Sequence, residues 1–311
     1  MTKTKVDPAR ARVQVKRVST GIFRILCYLL LIDLAFVFLY PFLYMVVTSV
    51  KTYGDINNLS VNWIPTSFHW ENYVIAGETM KIQYSILNSV IVTGLATLGH
   101  LLSCTFIGYG FARFDFPFKR MLFFGVILSA TIPIQTMIVP FYITYTNLGM
   151  IDTYLPLIIP TYLGFGLRGG IFIFLFRQYF LGFPKSLEEA ALIDGCGRIR
   201  SFFRIALPSA GPSVIVCLVL SMVWHWNDYY EPSVYMSVTE KSAMVPQMLP
   251  NLYNWISNMP VDVTGSSRDL ELIYHEGVVM AATAIAIAPL LIAYAFLQKK
   301  FMQSVERSGL V

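Results

Sequence analysis

Very few residues in this chain are of a type and spacing that could do chemistry. The four histidines, His69, His100, His225 and His275, have no zinc-like spacing, and no metal site is expected. No Gly-x-Ser-x-Gly occurs, so no nucleophile elbow is expected. No Gly-x-x-x-x-Gly-Lys-Ser/Thr occurs either, so the chain cannot itself hydrolyse ATP. Cys27, Cys104, Cys196 and Cys217 match no redox motif and are expected to be inert thiols or small apolar packers.

Two polar groups remain, and both suit binding rather than bond-breaking. Arg168 lies in LGFGLRGGIFIF, between Gly164, Gly166, Gly169 and Gly170. A guanidinium inside an apolar stretch costs about 2.5–3.5 kcal/mol on insertion scales, so it should face a cavity or a partner. The glycines imply a broken helix or close helix packing. Arg168 is read either as meeting an acidic sugar or sugar hydroxyl or as a structural ion pair. The second group is Trp226, Asn227, Asp228 and Tyr229: aromatics with polar handles suit sugar faces and edges, and Asn227 and Asp228 are read for a structural or gating role beside that pathway. Trp224 and Tyr230 fit an interfacial aromatic belt equally well. Asp33 and His100 are expected to be buried hydrogen-bonding partners, since no chain of acids links them into a proton relay.

The elements that must position these groups are spans. Of 311 residues, 56% are hydrophobic and 13% charged, against roughly 25% charged in an average soluble domain. Six stretches approach the ~20 apolar residues needed to cross a bilayer: about 25–50, 86–111, 121–146, 154–180, 209–235 and 277–298. The fold class is therefore all-α integral membrane, because spanning backbone must bond to itself. Pro41, Pro133, Pro140, Pro156, Pro160, Pro212 and Pro289 lie in spans and predict kinks. Most of the 23 basic residues fall in the N-terminal arm, in two of the loops and in the tail. By the positive-inside rule both termini are cytoplasmic, and 51–85 and 236–276 are external. The first apolar run exceeds the about 7–15 residues of a signal-peptide core, so no cleaved leader is expected. The chain divides into a basic arm (1–24), a six-span domain (25–300) and a tail (301–311). Scattered basic residues argue against nucleic acid.

One polar stretch, SLEEAALIDGCGRIRSFFRIALPSA at 186–210, interrupts the apolar text. Pro184 halts the fourth span. Ser186 is an N-cap candidate, with Glu189 three residues on as a capping box. Glu188 and Glu189 sit where the helix dipole favours acids. Leu187, Ala190 and Ala191 share a face, and Gly195 can end the helix in a left-handed conformation. A second helix is predicted over about 198–206, stopped by Pro208. Phe202, Phe203 and Ile205 give it apolar surface on the water side, fit for a cytosolic partner. The alternative is a structured loop whose Glu189 only caps a helix.

Glu189-Ala190-Ala191, Gly195, Ile205 and Leu207-Pro208 stand at the spacing of the EAA signature, and the chain resembles the permeases of bacterial binding-protein-dependent ABC importers. FLFRQYFLGFPKSLEEAALIDG, WNDYYEP and NWIPTSFHWENY resemble their carbohydrate-uptake branch, over roughly residues 25–300. The resemblance implies a six-span permease bundle with a cytoplasmic coupling helix-turn-helix. It implies two cytosolic ATPases that hold ATP and Mg, this chain binding no cofactor, and with them a second permease, expected to be a different chain, a homodimer being the alternative. It also implies an external solute-binding protein that delivers a sugar. Carried over, Glu189 pairs with a basic group on the ATPase, with Glu188 and Asp194 beside it. Ala190 and Ala191 allow tight contact, Gly195 makes the bend, and Ile205, Leu207 and Pro208 anchor the second helix. The tail departs from the pattern, holding only Gly309. A permease for a non-sugar solute is the alternative, and a secondary transporter or membrane enzyme fits less well.

Overall fold

The computed structural model describes residues 8–61, 63–239, 241–257 and 275–308. Asn62, Arg268, Gly309 and the first basic residues of the arm lie outside them. All regular structure among the described residues is helical. Helix α1 (Pro8–Ser49) carries the arm into the first span without a break and continues across Pro41. Short α2 (Tyr53–Asn57) and α3 (Glu71–Thr79) lead to α4 (Ile82–Arg113), the second span. The sixth span is helical to Ser308.

The first, second and sixth spans have unbroken helices long and apolar enough to cross a membrane, in segments Gly21–Ser49, Ile82–Arg113 and Glu276–Ser304. The other three expected spans are interrupted. The third is α5 (Lys119–Thr131) and α6 (Ile134–Asn147), bent by 103°. The cause is local. Pro133 drives the preceding residue out of the helical region, and Ile132 stands at φ −70, ψ 123. The fourth is α7 (Leu155–Tyr162) and α8 (Gly169–Gly182). Between them Gly164 and Gly166 take φ of 75° and 93°, values that glycine adopts without Cβ strain, and Arg168 takes 60°. So the broken-helix reading of the glycines holds, and close packing holds as well. A Cβ on Gly170 would lie 2.6 Å from the Val126 carbonyl oxygen.

The stretch between the fourth and fifth spans is α9 (Lys185–Ile193), α10 (Arg198–Ser201), a π turn (Phe202–Ala206) and α11 (Leu207–Ser209). A 74° bend at Ala210 then leads into α12 (Gly211–Trp226). The fifth span therefore ends at Trp226 rather than near residue 235, and a separate short helix, α13 (Tyr230–Tyr235), follows. Beyond it come α14 (Val245–Ser257) and α15 (Glu276–Ser308).

Helix α4 forms the centre. Its small residues let neighbours approach: a Cβ on Gly108 would fall 2.6 Å from the Phe176 Cβ of α8, and one on Gly99 would strike the Thr161 hydroxyl of α7. Ser103 Oγ donates to the Thr161 carbonyl at 2.5 Å. His100 is buried, as expected: its Nδ1 meets Ser221 Oγ at 3.2 Å and His225 Nε2 at 3.3 Å, and its Nε2 meets the Phe165 carbonyl at 3.1 Å. Asp33 corrects its expectation. From Gly21 to Tyr44 no side chain of α1 is buried, and Asp33 is exposed midway along this helix. Among the described residues nothing packs against that stretch deeply enough to bury it.

Candidate functional site

Two helix breaks and one helix end converge. The α5–α6 corner, the 163–168 break and the end of α12 enclose a cavity of about 690 Å³. Its lining includes Ser129, Gln135, Arg168, Trp224, Asn227, Asp228 and Tyr230. Arg168 begins α8 from the left-handed conformation and lays its guanidinium over the Trp224 ring, 4.6 Å from the centroid. Such stacking satisfies the cation while its N–H edge stays available. Arg168 forms no ion pair among the described residues. Asp228 Oδ1 accepts from the Tyr230 and Glu231 backbone N–H groups at 3.1 and 3.4 Å and so ties down the start of α13. Asn227 Nδ2 donates to the Val223 carbonyl at 2.8 Å, which leaves its amide oxygen for other donors.

The structure brings part of this group together. Arg168, Asn227 and Asp228 share the cavity. Trp226 does not: it is buried against the sixth span, its Nε1 donating to the Ala286 carbonyl at 3.1 Å. Tyr229 is exposed and outside the lining. Trp224 and Tyr230, read equally as belt residues, are on it. Helical geometry explains the swap, because Trp224 and Trp226 are about 200° apart around α12 at 3.6 residues per turn. Gln135 gave no sequence signal, since it becomes relevant only through the Pro133 corner.

The elbow from α9 to α11 is the second constellation. Gly195 takes φ 80°. Its N–H donates to the Leu192 carbonyl at 3.1 Å, and the Cys196 N–H to the Ala191 carbonyl at 2.9 Å. This paired pattern ends α9 as expected and turns the chain. The expected capping box is absent. Helix α9 starts two residues early, at Lys185 after Pro184, and no side chain caps it. Ser186 is thus already inside the first turn, where its hydroxyl cannot reach back as an N-cap does. Pro208 does not stop the second helix either, since helix continues to Ser209. The π turn explains this. The Leu207 N–H reaches five residues back to the Phe202 carbonyl, and the widened turn accommodates the proline that follows.

The two phenylalanines separate. Phe202 is buried, 3% exposed, among Phe106, Tyr109 and Phe180. Phe203 is 56% exposed, Ile199 70% and Ile193 86%. Leu187, Glu189, Ala190 and Asp194 are exposed with them, whereas Ala191 is buried. Anchorage to the bundle comes from Phe202, Ala206 and Ala210, with Leu207 packed alongside and Ile205 half-buried. Pro208 itself is exposed. Glu188 points the other way from Glu189. It accepts from Arg113 Nε at 2.9 Å and from the Tyr109 hydroxyl at 3.1 Å. Sequence reasoning missed Arg113 and Tyr109, because a pair 75 residues apart leaves no local pattern.

Apolar helices broken around a cavity that carries a few polar groups, with a polar elbow between two of them, are the architecture of a membrane-embedded subunit. The model for the family described as binding-protein-dependent transport system inner membrane component matches residues 104–307, more than half of the chain, and the chain belongs to that family. It is 29% identical over 285 residues to the diacetylchitobiose uptake system permease protein NgcG of Streptomyces coelicolor, covering 92% of this chain and 88% of that one. It is 28% identical over 282 residues to the polygalacturonan/rhamnogalacturonan transport system permease protein YtcP of Bacillus subtilis, covering 90% and 95%. In fold it is similar, with TM-score 0.71 and 23% identity over 96% of this chain and 100% of the other, to a chain from the crystal structure of a bacterial ABC transporter involved in the import of the acidic polysaccharide alginate.

Proposed function

We propose that this chain is one permease subunit of an ATP-driven, binding-protein-dependent importer of sugars or oligosaccharides. Its elbow docks on a cytosolic ATPase, and its cavity is this subunit's share of the solute path. The observation that carries the reading is the elbow's exposed face: Ile193, Ile199 and Phe203 stand in solvent beside Glu189 while Phe202 locks the same element into the bundle. A helix that only closed a loop would gain nothing by exposing three large apolar side chains together.

The rest follows from the same frame. Helix α8 rises only about 21 Å at 1.5 Å per residue, short of the ~30 Å hydrocarbon core, so α7 and α8 serve as one crossing, and six crossings result. The termini and elbow are cytoplasmic, and α2, α3 and α14 face outward, where a solute-binding protein docks. Two ATPases, holding ATP and Mg, need two elbows. This chain supplies one, so a second permease, a different chain, supplies the other. The chemistry of the cavity suits a glycan, since Arg168, Gln135 and Asn227 offer planar hydrogen-bonding edges beside the aromatic Trp224 and Tyr230.

Copurification tests this. The chain expressed with its partner subunits should bring down a P-loop ATPase, and Glu189→Lys combined with Phe203→Asp should abolish that recovery while leaving the two permeases together. Undiminished ATPase recovery by the double variant defeats the docking assignment. A thermal-shift screen of the cognate binding protein against neutral and uronic-acid glycans then identifies the solute class.

A further inference from the structure

We infer that Arg113 is a positioning residue that fixes the corner between the fourth span and the elbow and transmits the elbow's movement into α4. The inference rests on the elbow being the ATPase-docking element. Three observations support it. First, one guanidinium bridges both sides of Pro184: Arg113 Nη2 donates to the Phe183 carbonyl at 2.7 Å, before the proline, and Arg113 Nε donates to Glu188 at 2.9 Å, after it. The angle at which α9 leaves α8 is therefore held by a group on neither helix. Second, the pair is shielded. The Arg113 and Glu188 side chains are 6% and 13% exposed, the Tyr109 hydroxyl donates to the same carboxylate, and Arg113 lies 5.8 Å from the Phe183 ring centroid. A charge pair kept from water is rigid where an exposed one exchanges partners.

Third, α4 continues from this joint to the helix break that borders the cavity. Arg113 is the last residue of a 32-residue helix. Along that helix Ser103 holds the Thr161 carbonyl, Cys104 Sγ contacts the Gly169 carbonyl at 3.6 Å, and His100 holds the Phe165 carbonyl. The Thr161 and Gly169 carbonyls flank the break that presents Arg168, and the Phe165 carbonyl lies within it. A shift of α9 that drags Glu188 therefore pulls on the helix that holds the cavity wall. Spatial continuity alone does not demonstrate coupling, so the variants must separate hydrolysis from movement.

The test uses the full complex with its second permease and ATPases, reconstituted in liposomes. Cys27 and Cys196 are replaced by serine, the buried Cys104 and Cys217 are kept, and Thr131→Cys on the cavity lining is the reporter. Its labelling by a membrane-impermeant maleimide is timed with and without ATP plus vanadate, beside ATP hydrolysis. Arg113→Gln and Glu188→Gln should keep ATPase recovery and hydrolysis within about twofold, and should reduce the nucleotide-dependent change in labelling about fivefold or more, the lower range of a typical coupling free energy. Arg113→Lys, a point charge that cannot fork to both acceptors, should fall between. Tyr109→Phe, which loses one O–H, should give a smaller loss and carries the test if the Gln variants fail to assemble. A native labelling response in these variants overturns the inference, and so does an equal fall in hydrolysis and labelling. Loss of docking in the Glu189→Lys, Phe203→Asp protein, alongside full coupling in the Arg113 variants, would discard the joint and leave the elbow assignment standing.

Discussion

Adjacent glutamates do opposite things in the elbow. Glu188 turns inward to Arg113, and Glu189 faces solvent, because consecutive side chains on a helix diverge by about 100°. The same divergence puts Trp224 on the cavity and Trp226 in the core. Arg168 and Trp224 form a stacked pair and should act as a unit. Arg168→Gln and Trp224→Leu are each expected to lower the initial uptake rate about tenfold with ATPase recovery unchanged. The double variant should be little worse than the poorer single one, as expected of groups that work together. Liposome uptake of the glycan that best stabilises the binding protein measures this, and full additivity counts against the pair. Outside the spans, Asp55 is buried. The Thr66 hydroxyl at 2.6 Å and backbone N–H at 3.0 Å, with the Thr52 side chain nearby, hold its carboxyl below the usual range. A depressed folded pKa stabilises above the unfolded value, about 3.9, and that contribution is lost as pH falls from there through the folded value. Protease resistance of the 50–66 segment should thus hold from neutral pH to about 4 and decline below it, and Asp55→Asn should flatten that decline.

At the scale of elements, the decisive feature is where helices fail. Pro133 and the 163–168 glycines break two spans at the level of one cavity, whereas Pro41, Pro140, Pro160 and Pro289 lie inside helices that continue. A proline breaks a helix when neighbours do not hold the flanking turns. Close packing makes α4 intolerant of bulk. Gly108→Leu would force its side chain into Phe176 and the Arg177 backbone N, and overpacking of this kind costs about 1–3 kcal/mol. A lowered melting temperature of the purified complex is the expected readout. Gly110, two residues on, has nothing near its Cβ position, so Gly110→Leu should melt close to the parent and serves as the control.

The whole molecule is incomplete in lipid. The first span from Gly21 to Tyr44 buries no side chain, yet it carries Asp33. A carboxylate near mid-bilayer without a partner costs about 2.5–3.5 kcal/mol. Another subunit is expected to cover this stretch and supply a donor to Asp33. Asp33→Leu should leave membrane insertion intact and reduce recovery of the second permease on copurification. Unchanged recovery would mean that Asp33 meets water or lipid headgroups instead.

The sequence by itself determined the apolar character, the helical class, the place of the apolar stretches, the place of the polar elbow between two of them and its Gly195 turn. These are local quantities, set by hydropathy over a span, by proline and glycine geometry and by spacing within one or two helical turns. Only tertiary structure decided the rest. It chose Trp224 over Trp226 for the cavity, sent Phe202 inward and Phe203 outward, carried helix past Pro208, and joined Arg113 to Glu188 across 75 residues. Those outcomes depend on which helix face meets which neighbour, and small changes in helix phase and bend angle reassign a side chain from core to cavity without changing any local pattern.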